Sequence, residues 1–534
     1  MSLPTRGQRL TLAALFGAAV GLTPALAAQR QTDPTIDTVI VVSHNVFDPP
    51  DGTPHFVAKL GNALHITTHA AVIRRLLLVN PGTRLDSARL VESERGLREL
   101  GVFRSVTFDT TRIDDRLALR VETADGWSTS PQLNFSSSAG STTWSAAMVE
   151  RNFLGLATTV SVAYGVTPDR HSLDLQFASP GLLVRHAPLV AIYSDLSDGR
   201  AGAWSYGLPF YRTDARWSLG TWGEAASQRV LDFRHPADTL VTDSSERRAL
   251  TFAVTGGVAL HATSRSFVRL WVGSGWRRED YAPDTAPSLR LRYSTFWTVG
   301  VGLDMARTRF GVYEHLNAFA RQEDVDLSSA LSLGLWAAPR AWGYAEVHAG
   351  VGPAVSGQVA TRWPRGLALV RAGAHGVFGS GGLDSGLVQG TLDVASMNLP
   401  RQALLLHLEA GAMQNPRPGT AFDPWVTQNG PRGFGAHAFT GTRLVYAMVE
   451  DRILLADELW GVLGVGAAPY VEYGGAWYAG IEPARLGGDA GIALRFGSPR
   501  SVLGSVAEFD VSYRYRRFEG GPWALTFRRT FALK

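Results

Sequence analysis

Residues 128–534 alternate apolar and polar side chains with a period of two, and this pattern constrains the fold more than any other feature. Between Ala507 and Arg516, every odd-numbered position is apolar and every even-numbered position is polar or charged. Such alternation places one set of side chains on each face of a β-strand. Similar segments, roughly 22 in all, are separated by short turns rich in Gly, Pro and Asp. The sequence therefore predicts a large antiparallel β structure.

A water-soluble sheet and a membrane barrel both produce this alternation, because either can have one polar face. The persistence of the pattern, the aromatic strand ends and the polar second face favour a membrane barrel with a wet lumen. A closed barrel also pairs every backbone group internally, as lipid requires. We therefore predict a mainly β fold in which residues 128–534 form a transmembrane antiparallel β-barrel with an even number of strands, about 16 to 22.

The N-terminus predicts export. Arg6 and Arg9 precede an apolar stretch at residues 10–22, and Ala25-Leu26-Ala27 supplies small residues for cleavage. This pattern is typical of a secretory signal peptide, here residues 1–28. The apolar stretch is too short to span a membrane as a helix.

Composition excludes several function classes. The chain contains no cysteine, which excludes disulfides, thiolate metal sites and cysteine nucleophiles. Charged residues make up 18% of the chain, below the roughly 25% usual for soluble proteins. The net charge of +4 is small for this length and gives no reason to expect a nucleic-acid partner.

Residues 29–127 have a different pattern, which predicts a small α+β domain. Thr68 and Asp86 are suited to cap two helices, and Gly101 follows the second helix as a C-terminal glycine should. The apolar positions of the first predicted helix are Val72, Ile73, Leu76 and Leu77. Strands are predicted at residues 36–42, 102–108 and 117–122. The predicted order is βααββ.

This order, ahead of a carboxy-terminal barrel, resembles the BamA/TamA-type outer-membrane assembly superfamily, also called the bacterial surface antigen family. The first domain resembles a single POTRA module, through a motif that comprises Gly82, Asp86, Leu97, Gly101 and Phe103. A second motif, Glu150, Asn152 and Gly155, is similar to one at the family's second barrel strand and implies a turn at the membrane rim.

The most specific resemblance is Arg432-Gly433-Phe434, which is similar to the family's motif on a loop that folds into the barrel lumen. A glycine-flanked arginine is usually a solvated turn, but five alternating segments follow this one, as in the family. The resemblance implies that Glu450 and Glu472 face inward and hold the arginine. A buried guanidinium needs carboxylates, and bidentate pairing fixes its orientation.

The sequence departs from the family pattern in several places. Pro431 stands where Val or Leu is usual, and Glu472 stands where Asp is more common. Only one POTRA-like domain is present, whereas dedicated assembly factors carry several. Family barrels commonly have 16 strands, fewer than the segments found here.

The resemblance implies a location in the cell outer membrane, with the N-terminal domain in the periplasm. The implied function is insertion of outer-membrane proteins or translocation of a partner polypeptide, through a seam between residues 131–135 and 523–531. The implied partners are the lipid bilayer, unfolded polypeptide clients and periplasmic accessory proteins.

A passive outer-membrane pore is the alternative, because lumen charges such as Asp510, Arg514 and Arg516 suit it equally well. An enzyme is not expected, since no metalloprotease, hydrolase or nucleotide-binding motif is present. His65 and His69 lack a third ligand nearby and are interpreted as surface histidines. No cofactor or metal is expected.

Overall fold

The structure is a computed structural model that describes most of the chain. The described residues are 34–47, 55–114, 116–138, 141–235, 240–284, 294–319, 322–339, 349–379, 381–427, 429–460, 462–481, 483–499, 506–518 and 520–529. The predicted signal peptide at residues 1–28 lies outside them. None of the helices in these ranges is long and apolar enough to cross a membrane.

Residues 34–127, here called the N-terminal unit, combine three helices with a small sheet. The elements are β1 (Thr38–His44), α1 (His55–Leu64), α2 (Ala70–Leu76), α3 (Ser87–Glu99), β2 (Phe103–Ile113) and β3 (Arg116–Asp125). The strand order is β1-β3-β2, with β1 parallel and β2 antiparallel to β3. Helices α2 and α3 pack on this sheet around a core that includes Ile73, Leu97 and Phe103.

Local sequence explains how α3 begins and ends. Asp86 is the N-cap, and its Oδ1 accepts hydrogen bonds from the backbone N–H groups of Ala88 at 2.9 Å and Arg89 at 3.4 Å. Gly101 follows the last turn with a φ of +64°, a left-handed conformation that glycine adopts at little cost. Gly82, with a φ of +85°, makes the preceding turn possible in the same way.

Three details of the N-terminal unit differ from the sequence predictions. Helix α1 was not expected, and its position depends on a long-range contact in which Asn62 bonds both backbone groups of Phe47. Thr68 does not cap α2, because its N–H and hydroxyl both donate to Asp125, at 2.7 and 3.0 Å. His65 is not a surface residue: its side chain is 6% exposed and bonds Asp125. Local pattern cannot reveal a partner so distant in sequence.

Within the described residues, twenty strands form one closed antiparallel barrel, which agrees with the predicted range. They are β4 (Thr129–Ser138), β5 (Ser141–Glu150), β6 (Thr159–Val166), β7 (His171–Ser179), β8 (Leu189–Leu196), β9 (Gly199–Leu208), β10 (Trp217–Arg234), β11 (Val241–Ala262), β12 (Ser266–Pro283), β13 (Ser294–Arg307), β16 (Ser329–Pro339), β17 (Ala349–Trp363), β18 (Gly366–Gly379), β19 (Gly382–Ser396), β20 (Gln402–Gln414), β21 (Arg443–Leu459), β22 (Leu463–Trp477), β23 (Gly487–Gly497), β24 (Val506–Arg516) and β25 (Trp523–Arg529). A separate pair, β14 (Phe310–Glu314) and β15 (Gln322–Asp326), stands between β13 and β16.

The faces of the barrel strands distinguish a membrane barrel from a water-soluble sheet. In β24 the polar residues Glu508, Asp510 and Ser512 are fully buried, whereas Phe509 and Val511 are exposed. A soluble sheet would have the opposite arrangement. Apolar side chains on the outer surface and polar side chains inside are the arrangement expected for strands that cross a bilayer around a polar lumen.

The barrel closes between its last strand, β25, and its first, β4. This is the closure expected from the sequence, although β25 ends at Arg529 and the predicted residues 530–531 lie outside the described ranges. The N-terminal unit leads directly into β4. We call the end of the barrel that carries this unit the proximal end, and the opposite end the distal end.

Replacing Leu97 tests the core of the N-terminal unit. Leu97 is 1% exposed, so Leu97→Ala leaves a cavity and is expected to cost about 2–5 kcal/mol of local stability. Amide hydrogen exchange of the full-length protein in lipid should show faster exchange across residues 87–125. Val91→Ala, at a 60% exposed position of the same helix, is the matched control and should leave exchange unchanged. Equal effects of the two substitutions would contradict the assigned core.

Candidate functional site

The connection between β20 and β21, residues 415–442, folds back into the barrel, and we call it the lumen loop. It includes the short helix α4 (Pro424–Thr427). Its two arms are joined by backbone hydrogen bonds between Phe422 and Gly441, at 2.8 and 3.0 Å. The segment that carries Arg432, Gly433 and Phe434 therefore lies at the inner tip of a folded arm.

Arg432 is bound to carboxylates from three strands of the wall. Its Nε donates to Glu472 Oε1 at 2.8 Å, and its backbone N–H donates to Glu472 Oε2 at 2.8 Å. The two terminal nitrogens donate to Asp510 and Glu450, each at 2.9 Å. Glu508 lies 3.6 Å away. We call Arg432, Glu450, Glu472, Glu508 and Asp510 the arginine cluster.

Burial makes these contacts strong. The Arg432 side chain is 1% exposed and those of its four carboxylate partners are 0% exposed. The guanidinium also stacks on the Tyr470 ring, with its central carbon 3.6 Å from the ring centroid. Tyr446 donates its hydroxyl proton to Glu472 at 3.0 Å. Every polar direction of the guanidinium is thus matched, which fixes both the charge and the orientation of the loop.

Arginines of the wall neutralise the excess carboxylates of the arginine cluster. Arg452 donates to Glu450 at 2.6 Å, and Arg495 lies 3.3 Å from Glu508. Arg528, on the last strand, lies 3.4 Å from Glu508 and 3.9 Å from Asp510. Removing several charges from water costs several kcal/mol per ion, so such a group is stable only when it is nearly neutral and hydrogen-bonded.

Gly433 and Phe434 fit the wall by shape. The Gly433 N–H donates to Asp489 Oδ2 at 2.9 Å. A β-carbon at this position would lie 2.9 Å from Ser512 Oγ and 3.0 Å from Asp489 Oδ2, so only glycine allows this approach. Phe434 packs against Phe439 and Phe518, with ring centroids 4.9 and 5.4 Å apart. The sequence motif included Gly433 but did not identify Asp489 as its partner.

The rest of the lumen loop is attached to other strands at the distal end. His437 bonds Asp169, on the turn between β6 and β7, at 2.7 Å and also bonds Asp423 within the loop. Its ring stacks on Phe233 of β10, with centroids 3.6 Å apart. Thr440 donates its hydroxyl proton to the carbonyl of Phe233 at 2.8 Å. The loop therefore reaches across the lumen from β21–β24 to β6–β10.

The motif near the second barrel strand forms the joint with the N-terminal unit. Asn152 donates from Nδ2 to Ile66 O at 2.9 Å and to Thr68 Oγ1 at 3.0 Å, and its own N–H donates to Glu150 at 2.6 Å. Gly155 has a φ of +70°, and its carbonyl accepts from the N–H of His69 at 3.0 Å. The expected turn is present, but its contacts with the N-terminal unit were not anticipated.

The remaining motif residues lie in the N-terminal unit, away from the arginine cluster. Gly82, Asp86 and Gly101 shape the ends of helices and turns, whereas Leu97 and Phe103 belong to the core.

The sequence did not identify Asp489, Glu508 and Arg452 as parts of the site. Each lies at an inward-facing position of its strand, so the alternation that placed Asp510 in the lumen could also have placed these three. In the ranges that the structure describes, no three potential ligands are grouped to hold a metal ion.

No protein-family model matches the sequence, and no curated protein is similar to it. Among solved structures, the chain is similar to CdiB from Escherichia coli, with 11% identity, coverage of 93% of this chain and 76% of that one, and a TM-score of 0.47. CdiB from Acinetobacter baumannii has 9% identity, coverage of 88% and 74%, and a TM-score of 0.40. BamA from Haemophilus ducreyi lacking POTRA domains 1–3 has 11% identity, coverage of 92% and 83%, and a TM-score of 0.34.

Removing the guanidinium tests the arginine cluster. Arg432→Ala leaves buried carboxylates without their main partner, so we expect a folded barrel that loses about 3–5 kcal/mol of stability. Thermal unfolding in lipid measures the loss of stability, and protease cleavage in the lumen loop reports whether the loop is released from the wall. Arg248→Ala, an exposed arginine on β11 that pairs with Glu246, is the control and should match the unmodified protein. An unchanged melting temperature for Arg432→Ala would contradict the assigned contacts.

The attachment of the lumen loop through His437 should depend on pH. Burial opposes the charged imidazole, but hydrogen bonds with Asp169 and Asp423 outweigh it and raise the pKa of His437 from 6.5 to about 9. A raised pKa stabilises the folded protein below pH 6.5, and this contribution disappears as the pH rises through about 9. The melting temperature of His437→Gln should therefore fall furthest below the unmodified protein's at low pH, and the gap should narrow above pH 9. A gap that does not vary with pH would contradict this.

Proposed function

We propose that this chain crosses the outer membrane as a β-barrel and either assists the insertion of outer-membrane proteins or translocates a partner polypeptide. The N-terminal unit then acts as a single POTRA-like domain in the periplasm and receives the polypeptide client. The observation that carries the proposal is the arginine cluster, which holds a folded loop inside the lumen. In this function the chain makes and breaks no covalent bond and acts by presenting surfaces to the polypeptide client.

Charged contacts suit a loop that must leave and return. Movement of the lumen loop would expose arginine and carboxylate groups that water can solvate, together with the small aromatic cluster of Phe434, Phe439 and Phe518. Buried ion pairs contribute little net stability but specify one arrangement. The arginine cluster therefore favours a defined closed state that a bound client can displace.

The space beside the lumen loop leads towards the closing strands. A cavity of about 970 Å³ is lined by Arg432, Phe434 and His437 of the loop, by Gln132 of β4, and by Thr526 and Arg528 of β25. Arg528 also contacts two carboxylates of the arginine cluster. Movement of the loop would thus change contacts on the last strand and enlarge the space next to the closure.

The closure itself has features of a weak ladder. Within the described residues, which end at Arg529, β25 has 7 residues, whereas β21 has 17. Pro131 lies within β4, where a proline cannot donate to a neighbouring strand. Separation of β4 and β25 would present unpaired backbone groups that can pair with an incoming strand. We propose that the client pairs with this edge or passes beside it.

A passive pore is the alternative function. It would conduct steadily, with its lumen open to ions. The structure favours a gated barrel, because the lumen loop reaches across the lumen and is attached on both sides.

In the outer membrane the partners would be lipid, unfolded clients and periplasmic accessory proteins that bind the N-terminal unit.

Assisted folding in liposomes tests the proposed function. Purified protein is reconstituted, an unfolded barrel protein is added, and its gain of protease resistance is timed against empty vesicles. We expect clear acceleration by the unmodified protein, and a several-fold weaker effect of Arg432→Ala because the closed state is no longer defined. Arg248→Ala should behave like the unmodified protein.

Two outcomes would contradict the proposal in different ways. If the protein gives no acceleration but large steady currents in a planar bilayer, the passive pore is correct. If a well-folded Arg432→Ala accelerates folding as the unmodified protein does, the insertion function stands and the role of Arg432 is wrong. If neither acceleration nor steady current is seen, insertion is wrong and translocation of a dedicated partner polypeptide is the function that the result favours.

A further inference from the structure

A second segment enters the barrel from the proximal end. Residues 308–319 and 322–328, here called the proximal hairpin, lie between β13 and β16 and contain the paired strands β14 and β15. These strands form their own two-stranded sheet and do not join the wall. The hairpin is therefore a connection that folds inward. None of the sequence motifs described above lies in it.

The tip of the proximal hairpin fits a glycine-lined part of the wall. A β-carbon on Gly464 would lie 2.4 Å from Phe319 Cγ, and one on Gly497 would lie 3.0 Å from the same ring. Leu316, 0% exposed, packs in a cluster with Leu367 and Leu405 of the wall. The fit between a phenylalanine ring and bare glycines shows that the tip is seated in the lumen and does not merely cover its opening.

Two wall arginines hold the backbone of the tip. Arg452 donates to the carbonyl of Leu316 at 2.7 Å and to Asn317 Oδ1 at 3.1 Å. Arg495 donates to the carbonyl of Asn317 at 2.9 Å. Within the hairpin, Glu323 accepts from the N–H groups of Asn317 and Ala318, each at 2.9 Å, and so fixes the shape of the tip.

The same two arginines contact the arginine cluster. Arg452 donates to Glu450 Oε1 at 2.6 Å, while Arg432 donates to Glu450 Oε2 at 2.9 Å. Arg495 lies 3.3 Å from Glu508, which lies 3.6 Å from Arg432. Glu450 is therefore shared by Arg452, which holds the hairpin, and Arg432, which holds the lumen loop. Glu508 is shared in the same way by Arg495 and Arg432.

The outer side of the proximal hairpin is bound to the N-terminal unit. Arg98 of α3 makes a bidentate pair with Asp324, at 2.7 and 2.9 Å, and both side chains are about one-tenth exposed, at 11% and 9%. One turn earlier, Arg95 stacks on Phe310, with its central guanidinium carbon 3.5 Å from the ring centroid. Helix α3 thus contacts the hairpin through two arginines that lie one helical turn apart.

From this geometry we infer that the proximal hairpin is a coupling element, through which displacement of the N-terminal unit is transmitted to Arg432 and the lumen loop. The chain of contacts runs from Arg98 to Asp324, through the hairpin tip to Arg452, and through Glu450 to Arg432. Loss of the outer contact would release the tip, leave Arg452 without its carbonyl partners and rearrange the carboxylate that Arg432 shares. The inference that client arrival is the trigger rests on the proposed function, whereas the coupling itself does not.

A charge reversal with rescue tests the coupling in the full-length protein in planar bilayers. Arg98→Glu places a third acid beside Asp324 and Glu94, the two acids that Arg98 pairs with, and should raise the fraction of time spent conducting about tenfold, which corresponds to about 1.4 kcal/mol. Arg98→Glu combined with Asp324→Arg restores an opposite-charge pair and should return conduction towards the unmodified level. Arg120→Glu, on β3 of the same unit, changes the charge equally without touching the hairpin and should have no effect.

A reversible crosslink tests whether the tip itself must move. The chain has no cysteine, so Phe319→Cys with Gly464→Cys introduces a single pair, whose β-carbons would lie close enough for a disulfide after a small adjustment. Added to Arg98→Glu, the oxidised crosslink should suppress conduction and a reductant should restore it. Conduction that is unchanged by oxidation, by Arg98→Glu, or by the rescuing substitution would overturn the coupling.

The readouts separate this inference from the proposed function. Conductance reports the coupling without any client, and assisted folding in liposomes reports the function. If conductance is insensitive to Arg98→Glu while folding is accelerated, only the coupling is wrong. If conductance responds but no client is accelerated, the coupling stands and the proposed function is wrong.

Discussion

The burial of one guanidinium governs the interior of this barrel. Arg432 is surrounded by carboxylates of the wall, and an ion of either sign left alone there would cost several kcal/mol. The contacts that Arg452, Arg495 and Arg528 make with these carboxylates meet the resulting need for near-neutrality. Gly433 is required by the same contact, because its N–H must approach Asp489 closely.

Two segments that enter from opposite ends meet at this arrangement of charges. The lumen loop descends from the distal end and the proximal hairpin rises from the end that carries the N-terminal unit. Because Glu450 receives hydrogen bonds from both Arg432 and Arg452, neither segment can move without changing a contact of the other. The occupied lumen, the closing strands and the attached N-terminal unit are then parts of one mechanical arrangement.

Local pattern predicted the parts of this structure that depend on local physics. Alternation with a period of two gives strand faces directly, and Asp86 and Gly101 mark a helix because capping involves only neighbouring residues. The proximal hairpin was not predicted, because only tertiary contacts place β14 and β15 inside the barrel. Thr68 was misassigned for the same reason, since its partner Asp125 lies 57 residues away.

Amide hydrogen exchange of the lumen loop, in the full-length protein reconstituted in lipid, tests the central claim most directly. If Arg432 holds the loop against the wall, the Gly433 amide, which donates to Asp489 at 2.9 Å, should exchange as slowly as amides of β21 and β22. The Arg432 amide, which donates to Glu472 at 2.8 Å, should share that protection. Exchange of these amides within seconds, as in a solvated turn, would show that the loop is not held in the lumen and would contradict the account.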